Sequence, residues 1–332
     1  METSFRQLGA DVLPRISVIA VMPDCFQTIR KTVLSLGRQT IASALELIIV
    51  APATADLRLD EQDFVGLHSH ALVRIPKLEI MGVAREAGVR AARAPFVGFV
   101  EDHAYPEPDW AEALLASHAQ GNVAVGALMI NANPQGMTSW SDLFLGFAPY
   151  VEPRTGGPAD RLPWHHTGYD RELLLSLGNN LSAMLETEGV LHEKLQSEGK
   201  RMCLTSAKVS HVNVSRFGSF VYGQYNGGRS FGGHRAAESH WSAPRRILQA
   251  AAAPLVPLLR IRRILAHVRA CGRTGQLIPR MLPTLFLGLA AHATGEAAGY
   301  LFGSGQAARR KSDLEYHRDH HVSTRDRLSM EF

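Results

Sequence analysis

Two carboxylates and an imidazole follow one another in Glu101-Asp102-His103, directly after the apolar run Phe96–Val100. Hard oxygen and borderline nitrogen donors at a strand end can hold a divalent cation, Mn2+ or Mg2+, that bridges a diphosphate. The same residues also make an acidic turn ahead of the next helix, and both readings stand on these residues alone. A second carboxylate, Glu188, opens the helical pattern Thr187–Leu195, with Glu186 two residues before it. Such a group can take a proton from an attacking hydroxyl, or simply complement the dipole of a helix start. His211 closes a strand pattern and is a ligand candidate or a structural hydrogen-bonding residue. In Trp164-His165-His166, an indole beside imidazoles suits stacking on a sugar ring. Adjacent residues of an extended chain point opposite ways, so the two histidines are not expected to form a second metal pair. Tyr222–Arg229 and Phe231-Gly232-Gly233 read as a glycine-rich loop. Its N–H groups and Arg229 could fold over phosphates, or the segment is a flexible turn.

The elements that must carry these residues alternate. Ile16–Val21 is a short β-branched run closed by Pro23 and Asp24, and Ile29, Val33, Leu34 and Leu36 recur at helical spacing up to Gly37. Leu45–Val50, a weaker His70–Ile75 and Phe96–Val100 predict further strands, and Ala84–Ala94 predicts a helix between the last two. Trp110–His118 predicts a helix capped by Asp109, and Val123–Ile130 another strand. Asn131–Trp164 reads as loops and short helices. Leu173–Leu177 and Val190–Leu195 predict helices, and Leu204–Val212 a strand. This alternation predicts an α/β fold, a mainly parallel sheet with helices on both faces. Ligands of such sheets sit beyond the carboxyl ends of the strands, after Val21, Val50 and Val100.

With 332 residues, 45% of them hydrophobic and 20% charged, the chain can bury a sizeable core and is not disordered throughout. Its 3 cysteines lie far apart, which argues against a disulfide framework or a cysteine zinc site and for a reducing compartment. No signal peptide is expected from Met1–Arg15. The net charge of +4 is unevenly spread, for Pro244–Met281 carries eight arginines and no acid, leaving the remainder net acidic. Aliphatic rather than aromatic residues interleave with those arginines, favouring anionic lipid over nucleic acid. Leu282–Gly303 contains one formally charged residue, Glu296, and as a helix would be about 33 Å long. Four glycines, Pro283, His292 and Glu296 make it a poor span. With Ile247–Ile264 it reads as a partly embedded interfacial hairpin, the alternative being a soluble helical appendage that supports a dimer.

The order of these pieces resembles the family-2 glycosyltransferases with a GT-A fold. Ile16–Pro23 resembles their opening strand, Leu36-Gly37-Arg38-Gln39-Thr40 the end of their first helix, and Glu46–Val50 their second strand. Ala84-Arg85-Glu86-Ala87-Gly88 is similar to the next helix motif, Phe99–His103 falls on the metal-binding DxD element, and Leu173–Gly178 is similar to a later segment. The resemblance covers roughly Ile16 to Gly233. It implies inverting, metal-assisted transfer from a nucleotide-sugar donor, with Glu188 as base and Asp102, His103 and His211 on the metal. It implies donor contacts from Pro23, Asp24, Arg85, Glu101, Asp102 and Arg229, and acceptor contacts from Trp164 and His165. Three positions depart from the pattern. His103 replaces a carboxylate, Ala51-Pro52-Ala53 replaces the acids that help hold the base, with Asp24 or Asp56 as substitutes, and Glu86 replaces an asparagine.

The expected organisation is an N-terminal extension over residues 1–15, a GT-A-like domain over 16–240, a helical membrane-associating region over 241–308 and a charged mobile tail over 309–332. The expected activity is glycosyl transfer in cell-surface polysaccharide or glycan synthesis, with a divalent cation, Mn2+ or Mg2+, as cofactor. The expected partners are a nucleotide-sugar donor, a glycan or lipid-linked acceptor, an anionic membrane surface at its cytoplasmic face, peripheral or partly embedded, and a second copy through the C-terminal helices, but no nucleic acid. The alternative is a non-catalytic membrane-bound scaffold that keeps the fold and has lost donor binding, favoured by Ala51 and His103.

Overall fold

The computed structural model describes residues 2–7 and 13–330. By internal packing the chain divides into two units, one of Met1–Ile130, Glu152–His211 and Met330–Phe332, the other of Asn131–Val151 and Val212–Ser329.

The first unit is built on a sheet. Its strands are β1 (Glu2–Gln7), β2 (Ile16–Val21), β3 (Leu45–Pro52), β4 (Ser69–Ile75), β5 (Phe96–Val100), β6 (Ala104–Pro106), β7 (Ala124–Asn131), β8 (Gly157–Pro158), β9 (Thr167–Asp170) and β10 (Met202–His211). Their spatial order is β1-β4-β3-β2-β5-β9-β7-β10-β6, with β8 on β10. The stretch β4-β3-β2-β5 is parallel. Those strands are the apolar runs read above, and β2, β3 and β5 are buried at every position, as a sheet covered on both faces requires. The α/β expectation therefore holds. Beyond the parallel stretch the sheet grows by antiparallel pairing, β1 on β4, β9 on β5 and β7 on β9.

Helices α1 (Phe26–Gly37), α2 (Met81–Ala91) and α3 (Trp110–Ala119) connect these strands. Asp109 precedes α3, but its side chain makes no cap bond. Gln39 does that work, since its Oε1 accepts from the Ala111 N–H at 2.9 Å while its Nε2 donates to Glu107 O at 2.8 Å. The glutamine after α1 thus ties the first helix to the third. After α4 (Met137–Phe147), which the second unit holds, come α5 (Arg171–Ser176), α6 (Leu181–Glu186) and α7 (Glu188–Ser197) in the first.

The second unit is helical: α8 (Phe217–Glu238), α9 (Ala243–Ala252), α10 (Val256–Ala270), α11 (Thr274–Phe302), α12 (Ala307–Tyr316) and α13 (Thr324–Met330) complete it. Here three expectations are corrected. Tyr222–Gly233 is no phosphate loop but the interior of α8, which packs along α11. A Cβ on Gly228 would stand 2.0 Å from His292 O, and one on Gly295 2.0 Å from Tyr225 O. The glycines let two backbones touch, and that packing outweighs their low helix propensity. The unit boundary consequently falls at Val212 rather than near Trp241. Nor are residues 309–330 a loose tail. Leu314 on α12 packs with Val214 and Phe220, and buried Arg318 is ion-paired with Glu315. Among the described residues no helix is long and apolar enough to cross a membrane.

Candidate active site

Three strand ends meet beyond β5. Because β9 runs antiparallel to β5, with Gly98 beside Gly168, the start of β9 lies next to the end of β5. A side chain at 168 would collide with the Phe96 ring, at 2.4 Å, so glycine is what allows this pairing. His211, the last residue of β10, pairs with Ala104 of β6. The chain turning from β5 to β6 is pinned from α1 by Thr32, whose hydroxyl donates to Asp102 O at 2.9 Å. These constraints bring Glu101, His103, His166 and His211 together, all buried.

Their geometry centres on one oxygen. Glu101 Oε2 lies 3.0 Å from His166 Nε2, 3.2 Å from His211 Nε2 and 3.6 Å from His103 Nε2. Ligand atoms of Glu101, His103 and His211 all fall within 4.8 Å of one another. Asp102, expected on the metal, instead contacts the far side of the ring, its Oδ1 2.7 Å from His103 Nδ1. Glu101 is therefore the carboxylate of the cluster and Asp102 orients His103. Burial alone would raise the pKa of Glu101, but the charge and hydrogen bonding of the surrounding imidazoles hold it well below the usual carboxylate range. Burial pushes His166 down to about 4, against the pull of Glu101.

A second buried cluster surrounds Glu188, at the start of α7 and 3% exposed. Arg85 of α2 donates to Oε1 at 2.9 Å, the His165 N–H donates to the same oxygen at 2.8 Å, and the Tyr169 hydroxyl donates to Oε2 at 2.8 Å. His192 follows with Nε2 2.8 Å from the Tyr169 oxygen, while its Nδ1 lies 3.5 Å from the Leu162 N. An imidazole accepting at Nδ1 and donating at Nε2 is neutral, in keeping with a pKa lowered chiefly by burial. Burial would also raise Glu188, but the contacts with His165 and the Arg85 charge overcome this and hold it at about 2. Burial and then the charge of Glu188 push the Tyr169 hydroxyl well above its ordinary value.

The segment Trp164-His165-His166 joins the two clusters. His165 Nδ1 is 3.4 Å from Glu188 Oε1, and the next residue, His166, contacts Glu101. The expected opposite orientation of neighbours is realised, with a carboxylate waiting on each side. His165 takes a φ of 68°, a left-handed conformation uncommon for a side-chain-bearing residue, and its N–H bond to Glu188 helps hold it there. Trp164, beside them, is 49% exposed.

The remaining candidates scatter more widely. Pro23 is buried after β2, and exposed Asp24 accepts from the Asp56 N–H at 2.7 Å through its backbone carbonyl. Asp56, considered as a substitute acid, is paired with Arg58 at 2.6 Å. Where the family pattern has acids after the second strand, Arg74 Nη1 donates to the Pro52 and Ala53 carbonyls. Glu186, the rival of Glu188, accepts from the Gly82 N–H at 2.8 Å and so caps the first turn of α2. Arg229 lies in the second unit on α8, its Nε donating to Gly303 O at 3.3 Å. Two participants, Tyr169 and His192, are not among the site residues expected from the sequence, and His166, discounted there as half of a histidine metal pair, contacts Glu101.

The family model for Glycosyl transferase family 2 matches residues 17–177. The Bacillus subtilis (strain 168) protein EpsH, named as a glycosyltransferase, is 28% identical over 103 residues, 31% of this chain and 30% of its own. Among solved structures, GalNAc-T7 with UDP, GalNAc and Mn2+ is similar at a TM-score of 0.46 and 15% identity, over 61% of this chain and 44% of the other. TarS of S. aureus is similar at 0.41 and 16%, over 60% and 37%. The chain thus spans less than half the length of each of these relatives.

Proposed function

We propose, from the match of residues 17–177 to the Glycosyl transferase family 2 model, that the chain transfers a sugar from a nucleotide-diphosphate donor to an acceptor hydroxyl, with inversion and metal assistance. The observation that carries this reading is the position of the Glu101 cluster at the carboxyl end of β5, where an open α/β sheet binds its ligand. Glu101, His103 and His211 would hold a divalent cation, and their donor chemistry fits one: three buried groups with one oxygen and two nitrogens converge, and an outer carboxylate orients His103. When bound, such an ion would neutralise charge developing on the departing diphosphate.

The chain's own residues do the rest. Glu188 stays ionised over the physiological range, and its oxygens already accept from Arg85, Tyr169 and His165. Its imidazole neighbour His165 is the more exposed of the two, with a quarter of its side chain accessible. In this reading Glu188 and His165 act as a pair that accepts the hydroxyl proton, Trp164 stacks on the acceptor sugar, and Arg85 and Tyr169 keep the pair in place. Pro23 and Asp24, after β2, would line the donor. The acceptor is a glycan or a lipid-linked sugar of cell-surface polysaccharide synthesis.

The second unit supports a membrane-associated version of this reading. Ile247, Leu248, Leu255, Leu258 and Leu259 are exposed on α9, α10 and the turn between them, within the acid-free arginine segment. Apolar side chains beside basic ones suit the anionic cytoplasmic face of a bilayer. The reading is tested by incubating the full chain with a panel of nucleotide sugars and Mn2+, and following release of nucleoside diphosphate with and without glycan acceptors. Acceptor-stimulated release from one donor, reduced about 10²–10⁴-fold in Glu188→Gln, is expected. No release from any donor would favour the scaffold alternative.

A further inference from the structure

Glu188 is buried under its own hydrogen bonds, while the imidazole beside it reaches the surface. We propose that His165 is the catalytic base, taking the acceptor proton on Nε2, and that Glu188 is a positioning residue that holds the ring through Nδ1. The inference rests on the transferase reading above and deepens it by assigning the proton to one member of the pair.

Access is the first argument. The Glu188 side chain is 1% exposed, against 25% for His165. Oε1 already accepts from Arg85 and from the His165 N–H, and Oε2 accepts from the Tyr169 hydroxyl. A carboxylate offers about two acceptor positions on each oxygen, so Oε1 is filled and the position left on Oε2 faces the interior. A substrate hydroxyl reaches Glu188 only by displacing a buried partner. His165 Nδ1 is buried too, so the accessible quarter of that side chain lies on the rest of the ring. Trp164 borders the same place, for a Cβ on Gly189, the residue after Glu188, would stand 4.0 Å from its Nε1.

Orientation is the second argument. The His165 backbone N–H is 2.8 Å from Glu188 Oε1, and its Nδ1 is 3.4 Å from the same oxygen. The left-handed φ of 68° accompanies this double approach, and backbone held in such sparsely populated regions clusters at functional sites. Among the described residues Nδ1 has no aligned hydrogen bond, and catalytic hydrogen bonds of this length tighten when substrate binds. An Nδ1–H facing an ionised carboxylate leaves the lone pair on Nε2, which is the tautomer a base needs. Basicity is the third argument. Burial would raise Glu188, but the contacts with His165 and the Arg85 charge hold it at about 2, and so acidic a carboxyl is a poor acceptor for a hydroxyl proton. A base works best with a pKa near the working pH, and imidazole is the side chain whose ordinary value lies there.

In the step, the acceptor oxygen bonds to the anomeric carbon as its proton passes to His165 Nε2. The bond from that carbon to the diphosphate oxygen breaks, and its electron pair leaves with the nucleoside diphosphate. The imidazolium, stabilised by Glu188, then gives its extra proton to water.

The experiment uses the full chain with Mn2+ and the same panel of nucleotide sugars. His165→Gly and His165→Asn both suit a left-handed backbone, and circular dichroism checks that each folds. Each should lower acceptor-stimulated release about 10²–10⁴-fold and keep donor binding. Added imidazole should restore part of the turnover of His165→Gly and none of that of Glu188→Gln. Nitrogen NMR of the histidine-labelled chain reads the tautomer without turnover. The His165 ring, identified by the signal lost in His165→Asn, should carry its proton on Nδ1 in the parent and shift toward Nε2 protonation in Glu188→Gln. Parent-like turnover in both His165 variants, or an Nε2-protonated ring in the parent, would overturn the assignment and leave the transferase reading intact. No release from any donor by the parent chain would overturn both.

Discussion

Glu101 and Glu188 are both buried carboxylates, they are contacted by consecutive residues of one segment, and they are compensated in different ways. Glu188 has a permanent cation from the chain itself, Arg85 at 2.9 Å, and a phenol and a backbone N–H besides. Glu101 is ringed by imidazoles, which carry charge only when protonated. The first site is electrostatically complete as folded, whereas the second is completed by protons or by a metal. A fold that places both within one domain separates a fixed anion from an exchangeable centre.

Removing the fixed cation should have the largest effect. Arg85→Ala leaves Glu188 buried without its charge partner, and the loss of one member of a buried pair costs about 3–5 kcal/mol. Chemical denaturation of the metal-free protein measures this directly, and a loss below about 1 kcal/mol would mean that Glu188 has found other compensation. Next comes acid stability. The pKa of Glu188 is depressed from 4.5 to about 2 in the folded protein. Its contribution is therefore complete above about pH 4.5 and lost as pH falls toward 2, a span worth about 3 kcal/mol. Stability measured against pH should fall across that window in the parent, and the fall should be shallower by about that amount in Glu188→Gln.

Smaller changes sharpen the contrast. Tyr169→Phe removes a hydrogen bond to an ionised group and leaves His192 Nε2 without the hydroxyl it contacts, so a loss of roughly 1.5–3 kcal/mol is expected in the same denaturation experiment. Glu101→Gln in metal-free protein should cost less, under about 1.5 kcal/mol. An amide oxygen can still accept from one imidazole N–H where no ion is present. A loss as large as that of Arg85→Ala would remove the distinction between the two sites.

How much of this was legible in the sequence follows from what kind of interaction placed each residue. Ile16–Val21, Leu45–Val50 and Phe96–Val100 declare themselves because a doubly covered strand must be apolar throughout, and the positions after them were marked accordingly. Glu101 and His211 could be read as neighbours of a ligand because both end strands. That Glu101 faces His166 and His211 while Asp102 contacts His103 Nδ1 could not, since it depends on how Thr32 pins the turn after β5. His166 was hidden for a different reason: its place beside Glu101 follows from antiparallel pairing of β9 with β5, a non-local choice that leaves no spacing in the sequence. The glycines of 222–233 pointed the wrong way, because local propensity argues for a loop and only the partner helix, with its own glycines, reveals why α8 needs them.

The central claim, that the end of β5 is a metal-dependent nucleotide site, is tested most directly by calorimetric titration of the full chain with UDP, GDP, CDP and ADP in the presence of Mn2+ or Zn2+, and again in chelator. The account predicts saturable binding of one of these only with the ion, and its loss in His211→Ala. Equal binding in chelator, or unchanged binding in His211→Ala, would contradict it.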